Sequence, residues 1–157
     1  MKKLMVLFAV FSTLATVAFA DGKQEALNFF NNYVNEANSY SKSITEMYSP
    51  SAKIIRQVVK PDGTTANATT DTATYIKQMK ISQGVARIRK YKNYYSNVTV
   101  SALPDGSYKI SSLRQPTGEN YKLKTYMIVK KQPNGKWLIT EELMQTKMQI
   151  FLKYADK

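Results

Sequence analysis

The residue best suited to chemistry in this sequence is Glu141, because it is predicted to lie on an apolar face of a β-strand. Residues 121–146 read as two strands joined by a turn at Pro133-Asn134-Gly135. The usual pairing across a three-residue turn places Met127 opposite Glu141. A carboxylate among apolar side chains is costly unless it is paired, neutral or in contact with water. Glu141 is therefore expected to bind a cationic or hydroxylated ligand or to act as a base, unless it lies at the sheet rim or the register is wrong by one residue.

The predicted register rests on Gln132 facing Lys136 across the turn. The same face then holds one carboxylate and a set of mainly apolar side chains: Thr125, Met127, Val129, Trp137, Ile139 and Leu143. The opposite, even-numbered face holds Lys124, Tyr126, Ile128, Leu138 and Met144. This second face is apolar enough to form a homodimer, which makes a dimeric structural or secretion-assembly subunit one alternative function.

Tyrosine is the second source of candidate ligand contacts, since the chain has eleven. A tyrosine offers a pocket an apolar ring with a polar tip. With Glu141 and Met127, the candidate ligand-binding residues are Tyr33, Tyr75 and Tyr126. The alternative is that these tyrosines are ordinary half-buried residues of helices and strands.

The sequence lacks the residues that several kinds of chemistry need. The chain has no histidine and no cysteine, which removes the commonest general base, thiolate chemistry and the usual zinc ligands. It also has no phosphate-binding glycine loop and no nucleophile elbow. We therefore expect no metal and no cofactor. Catalysis by Glu141 with pocket tyrosines, as in an isomerase, dehydratase or hydrolase, is the alternative to a non-catalytic role.

The first twenty residues predict a signal peptide rather than part of the fold. Lys2 and Lys3 precede an apolar run, and Ala18-Phe19-Ala20 is a small-residue cleavage site. The expected domains are a signal peptide at 1–20 and a single domain at 21–157. The expected location is the periplasm or the exterior of a bacterial cell, with no transmembrane anchor after cleavage.

The net charge is +12, and it falls to +10 without Lys2 and Lys3. A basic excess attracts anions such as lipid headgroups, acidic partners or nucleic acid. Residues 87–95, RIRKYKNYY, mix cations with aromatic rings, as single-stranded nucleic-acid sites do. The exported location argues against nucleic acid, so a small apolar or anionic ligand is the expected partner.

The remaining sequence predicts helices first and strands later. A helix from Lys23 carries an apolar stripe, and a short helix ends at Pro50. A strand at 52–60 is followed by a loop at 64–70 and by a helix capped by Asp71. The stripe is Leu27, Phe30, Val34 and Ala37, and the short helix holds Ile44 and Met47.

Four Pro-x-Gly triplets, beginning at residues 61, 104, 116 and 133, predict turns that join long antiparallel strands. The pairing rule puts Val100 opposite Ile110 on an apolar face. It fails at Pro116, where it would bury lysines instead of Leu123. We therefore predict a β-bulge or a longer loop near residues 114–121.

This order of elements resembles the nuclear-transport-factor-two-like superfamily, which has a cystatin-like cone fold. The resemblance lies in the segments LNFFNNYVNEA, TTDTATYIKQM and NGKWLITEELM, at residues 27–37, 69–79 and 134–144. It implies an α+β fold in which N-terminal helices pack against a strongly bent antiparallel sheet that forms a cone. The resemblance and the missing catalytic groups together indicate an exported, non-catalytic module that binds a small or lipid-like ligand or a protein partner.

Overall fold

A computed structural model describes residues 21–156, and the predicted signal peptide lies outside these residues. The described chain has helices packed against a curled six-stranded sheet, so the α+β class is confirmed. The strands are β1 (Tyr48–Val59), β2 (Thr65–Asp71), β3 (Asn93–Ala102), β4 (Tyr108–Pro116), β5 (Leu123–Lys131) and β6 (Trp137–Thr146). Their order across the sheet is β2-β1-β6-β5-β4-β3.

The sheet is mixed rather than fully antiparallel. All neighbouring strands pair antiparallel except β1 and β6, which run parallel. Since β6 also pairs with β5, β1 extends the β3–β6 meander at its free edge. The inner face of this sheet faces the helices and carries the core residues Ile54, Ile110, Val129 and Ile139.

The first helix, α1, covers residues 21–38 of the described chain. Its most buried side chains are Ala26, Phe30 and Tyr33, at the spacing of one helix face. A 3-10 helix at Lys42–Met47 follows and buries Ile44 and Met47, as predicted. The prediction that Pro50 ends a helix was wrong, because β1 already begins at Tyr48 and includes Pro50.

The loop predicted at residues 64–70 is in fact strand β2. It pairs with β1 from Lys53↔Asp71 to Val59↔Thr65. The segment has no large apolar side chain, and only Ala68 is buried, so its sequence shows none of the usual strand pattern. Pairing with the long β1 strand provides the order that the local sequence does not specify.

The predicted turns are present, since Gly63, Gly106, Gly118 and Gly135 all have φ between +79° and +84°. This is the left-handed region that glycine enters without strain. After Pro116 the connection to β5 covers residues 117–122, so the longer loop predicted there is confirmed. Val100 opposes Ile110 as predicted.

The register of β5 with β6 contains a β-bulge that the turn rule did not predict. Val129 pairs with Ile139 as expected, but Ile128 pairs with Glu141, so Thr140 is the extra residue. An extra residue reverses the face of every side chain beyond it. The predicted pairing of Met127 with Glu141 was therefore wrong, and Met127 pairs with Glu142 instead. For the same reason Leu143 lies on the outer face, opposite Tyr126, and Met144 lies on the inner face, opposite Thr125.

A second long helix, α2 (Thr72–Ile88), lies against the β1–β2 side of the sheet. The Asp71 side chain accepts a hydrogen bond from the Thr74 N–H, as the capping prediction requires. A 3-10 helix at Gln149–Tyr154 follows β6 and packs beside β1 and β2. None of the helices within residues 21–156 has the length and apolar run needed to cross a membrane.

The bulge can be tested by cross-linking, because the natural chain has no cysteine. Directly opposed residues of antiparallel strands have Cα atoms about 4.5–5.5 Å apart, which suits a disulfide. The double variant Ile128→Cys/Glu141→Cys should therefore form a disulfide under mild oxidation, as measured by intact mass. The matched variant Met127→Cys/Glu141→Cys should stay reduced, because its side chains point to opposite faces. Efficient cross-linking of the second pair and not the first would contradict the bulge.

Candidate functional site

The bulge brings Glu142, not Glu141, to the inner face of the sheet. Only 1% of Glu142 is exposed, and its carboxylate accepts three hydrogen bonds. Oε1 accepts from Nη1 of Arg56 at 2.9 Å, and Oε2 accepts from the hydroxyls of Tyr48 at 2.6 Å and Tyr33 at 3.3 Å. A buried carboxylate is tolerated when it is paired and hydrogen-bonded in this way. These four side chains form a buried polar cluster.

Each member of the cluster comes from an element that the sequence places against the inner face. Arg56 lies two residues from both Ile54 and Val58 on β1, so it shares the inward face of these buried residues. Tyr48 begins the same strand, and Tyr33 lies on the buried side of α1. Sequence reasoning missed Arg56 and Glu142 as a pair. The sequence feature that indicates this pair is an arginine at an inward strand position, because a buried arginine requires an acidic partner on a neighbouring element.

The two tyrosines act as hydrogen-bond donors to Glu142. Burial raises the pKa of Tyr33 and of Tyr48 well above the ordinary tyrosine value, and the nearby negative charge of Glu142 adds to the rise. Both hydroxyls therefore keep their protons at neutral pH. They can stabilise the carboxylate, but neither can act as a base near neutrality.

Arg56 is held from two sides. Its guanidinium pairs with Glu142 and also lies over the ring of Tyr75 on α2, 4.8 Å from the ring centroid. Burial alone would lower the pKa of Arg56, but Tyr75 and Glu142 raise it above the usual value. The arginine therefore stays charged. The Tyr75 ring also packs edge-on against Tyr48, at a centroid distance of 5.4 Å.

A cleft of about 690 Å³ opens directly above Arg56. One wall is the inner face of β1 and β2, another is α2, and the C-terminal 3-10 helix lies at the side. The lining includes Ile54, Ala68, Tyr75, Met79, Phe151 and Tyr154. The polar residues Thr69, Thr70, Thr74, Gln78 and Ser82 also line it, so the lining is mixed, with more apolar than polar surface and with Arg56 as the charged residue on the sheet face. The Asp71 carboxylate at the edge of the cleft is engaged as the cap of α2.

A second cleft, of about 680 Å³, lies between α1 and the β5–β6 turn. Part of its polar lining is engaged internally: Glu25 accepts from Lys131 and from Trp137, and Glu36 accepts from Ser43. It contacts no member of the buried cluster. The cleft above Arg56 is therefore the better candidate for a functional site.

The candidate site residues fall on both faces of the sheet. Tyr75 lines the cleft, Tyr33 contacts Glu142 behind it, and Met127 is buried in the core. Glu141 and Tyr126 lie together on the outer face, where the Tyr126 hydroxyl donates to Glu141 at 2.5 Å. The predicted inward position of Glu141 was wrong, because the bulge turns that residue away from the cleft.

Among residues 21–156, no group of three or more acidic, histidine or cysteine side chains is arranged to hold a metal ion. The acidic residues of this part of the chain are dispersed over helices, turns, the cap of α2 and β6.

No protein-family model and no curated protein matches this sequence. Solved structures do match its fold. A domain of unknown function with a cystatin-like fold from Nostoc punctiforme has a TM-score of 0.55 and 14% identity, covering 83% of this chain and 83% of that chain. A protein from Novosphingobium aromaticivorans with the provisional name of a scytalone dehydratase has a TM-score of 0.58 and 14% identity, covering 82% and 89%.

A third similar structure, from Catenulispora acidiphila, was solved in complex with S-DNPA. Its TM-score is 0.52 at 8% identity, and the match covers 78% of this chain and 90% of that chain. Such low identities show the fold alone. The chain has a cystatin-like α+β fold, and the fold implied by the resemblance in the sequence is confirmed.

The two adjacent glutamates provide a matched test of the cluster. Glu142→Gln leaves the Arg56 charge buried without its counter-ion, which costs about 3 kcal/mol of unfolding free energy. Glu141→Gln removes the same charge from the outer face and should change the unfolding free energy by less than about 0.5 kcal/mol. Urea denaturation measures both values. Equal effects of the two substitutions would contradict the assignment of Glu142 to the core.

Proposed function

We propose that this protein is a non-catalytic module that binds a small amphipathic molecule in the cleft above Arg56. The observation that carries the proposal is a charged guanidinium held in place at the base of a largely apolar cleft. The cleft has a volume of about 690 Å³, which is in the range of small-molecule sites. The S-DNPA complex of the Catenulispora acidiphila protein supports small-molecule binding by this fold.

Arg56 defines the polar end of the proposed ligand. One of its nitrogens donates to Glu142, while the planar guanidinium carries further N–H donors. The ion pair fixes the orientation of this group before any ligand arrives, which reduces the cost of binding. A ligand with a hydrogen-bond acceptor, such as a carboxylate, sulfonate or carbonyl, suits this end of the cleft.

The remaining walls define the apolar end. Met79 provides aliphatic surface, Phe151 and Tyr154 provide rings, and the adjoining Ile54 and Ala68 are almost fully buried. Burying apolar area contributes about 25 cal/mol per Å². The ligand class is therefore a molecule with a ring system or a short alkyl chain and one acceptor group.

The state of Glu142 favours binding over catalysis. Both of its oxygens already accept hydrogen bonds, one of them from Arg56, and Glu142 is not among the residues that line the cleft. A general base must instead have a site free to take a proton from the substrate. The second carboxylate, Glu141, faces away from the cleft.

We also propose that the module is exported, on the basis of the signal-like residues 1–20. Protein recovered from a bacterial host that produces the full chain should begin at Asp21, as read by intact mass. Recovery with Met1–Ala20 still attached, from a host with active secretion, would contradict export.

Ligand binding can be tested with the probe 1-anilinonaphthalene-8-sulfonate, which joins an aromatic body to an anionic acceptor. The folded chain should increase its fluorescence with saturable binding. Gln78→Trp places a large ring in the cleft and should weaken binding roughly tenfold or more, about 1.4 kcal/mol. Arg56→Lys keeps the charge opposite Glu142 but loses the planar donors, so it should weaken binding as well.

The matched control is Ala73→Trp, which adds the same ring to an exposed position of α2 outside the cleft. This variant should bind the probe like the parent chain. Equal probe binding by parent, Gln78→Trp and Ala73→Trp would show that the cleft is not the site.

A further inference from the structure

The outer side of α2 carries an exposed apolar stripe. Ile81, Val85 and Ile88 are 72%, 51% and 83% exposed, although they are aliphatic. Their spacing of four and three residues places them on one face of the helix. This face lies opposite the side of α2 that packs on the rest of the protein, where Thr72 is buried and Met79 is half-buried.

The same segment is strongly basic. Residues 72–92 contain six cations and no acidic residue: Lys77, Lys80, Arg87, Arg89, Lys90 and Lys92. All six are exposed, and the ion pairs among residues 21–156 involve none of them. Lys77 lies one turn before Ile81, so cations adjoin the apolar stripe directly.

The orientation of α2 is fixed by contacts on its other side. The Gln83 amide donates to the Ser41 carbonyl at 2.8 Å, and Arg87 donates to the Tyr40 carbonyl at 3.3 Å. Arg87 is therefore partly engaged in holding the helix. Lys77 and Lys80 remain free to contact a partner together with the apolar stripe.

We propose that the outer face of α2 docks onto an anionic lipid surface. Aliphatic side chains bordered by lysines are the pattern of a helix that lies in the plane of a membrane interface, with its apolar residues among the acyl chains and its cations at the headgroups. A second copy of this chain fits the face poorly, because a symmetric contact would place two sets of six cations together. This docking surface is separate from the ligand cleft and does not depend on it.

The test is co-sedimentation of the full chain with lipid vesicles, of phosphatidylcholine alone or with about one-third phosphatidylglycerol. The parent should bind the anionic vesicles more strongly, and added salt should weaken that binding. The double variant Ile81→Gln/Ile88→Gln should reduce partitioning roughly tenfold. Lys77→Gln/Lys80→Gln should reduce binding to anionic vesicles by about fivefold for each charge removed.

The matched control is Tyr94→Gln/Val98→Gln, which removes exposed apolar side chains from β3. This control should bind like the parent, and circular dichroism should show that all variants keep the parent fold. Equal vesicle binding by the parent and both α2 variants would overturn the proposal. A second outcome would also overturn it: the parent does not bind vesicles, light scattering shows that it is a dimer, and Ile81→Gln/Ile88→Gln abolishes the dimer.

Discussion

The ion pair between Arg56 and Glu142 is the interaction on which the candidate site depends. It links two residues 86 positions apart in the chain and joins the parallel strands β1 and β6 across the inner face of the sheet. Taking both charges out of water is costly, so the pair is stable only because the tyrosine hydroxyls and the Tyr75 ring complete its surroundings. Both long helices contact the sheet through this pair, since Tyr33 belongs to α1 and Tyr75 belongs to α2.

This arrangement holds a charged arginine in a fixed position at the candidate site. The Glu142 carboxylate is hydrogen-bonded within the cluster and does not line the cleft, whereas Arg56 does. A ligand of the proposed class would meet a donor group that is already fixed in orientation by this pair. α2 contributes to two surfaces at once, with Tyr75 and Met79 lining the cleft and Ile81, Val85 and Ile88 facing solvent.

Much of the fold follows from local sequence chemistry. The Pro-x-Gly turns, the cap at Asp71 and the apolar side of α1 were predictable because each depends on residues close together in the chain. Strand β2 was not predictable, since its small polar residues are ordered by pairing with β1. The turn rule was correct from Lys131 to Val129 and failed one pair later, where Thr140 is the extra residue. A bulge is decided by the partners on both sides of the strand, including β1, and these are distant in sequence. The predicted inward position of Glu141 failed with it, because the bulge brings its neighbour Glu142 to the inner face instead.

A double-mutant cycle on the buried pair tests the central claim most directly. Arg56→Met and Glu142→Leu should each lower the unfolding free energy by about 3 kcal/mol, because each leaves one charge buried alone. The double variant should lose far less than the sum, with a coupling free energy of about 2 kcal/mol or more. Single effects that simply add, with no coupling, would show that Arg56 and Glu142 do not interact and would contradict this account.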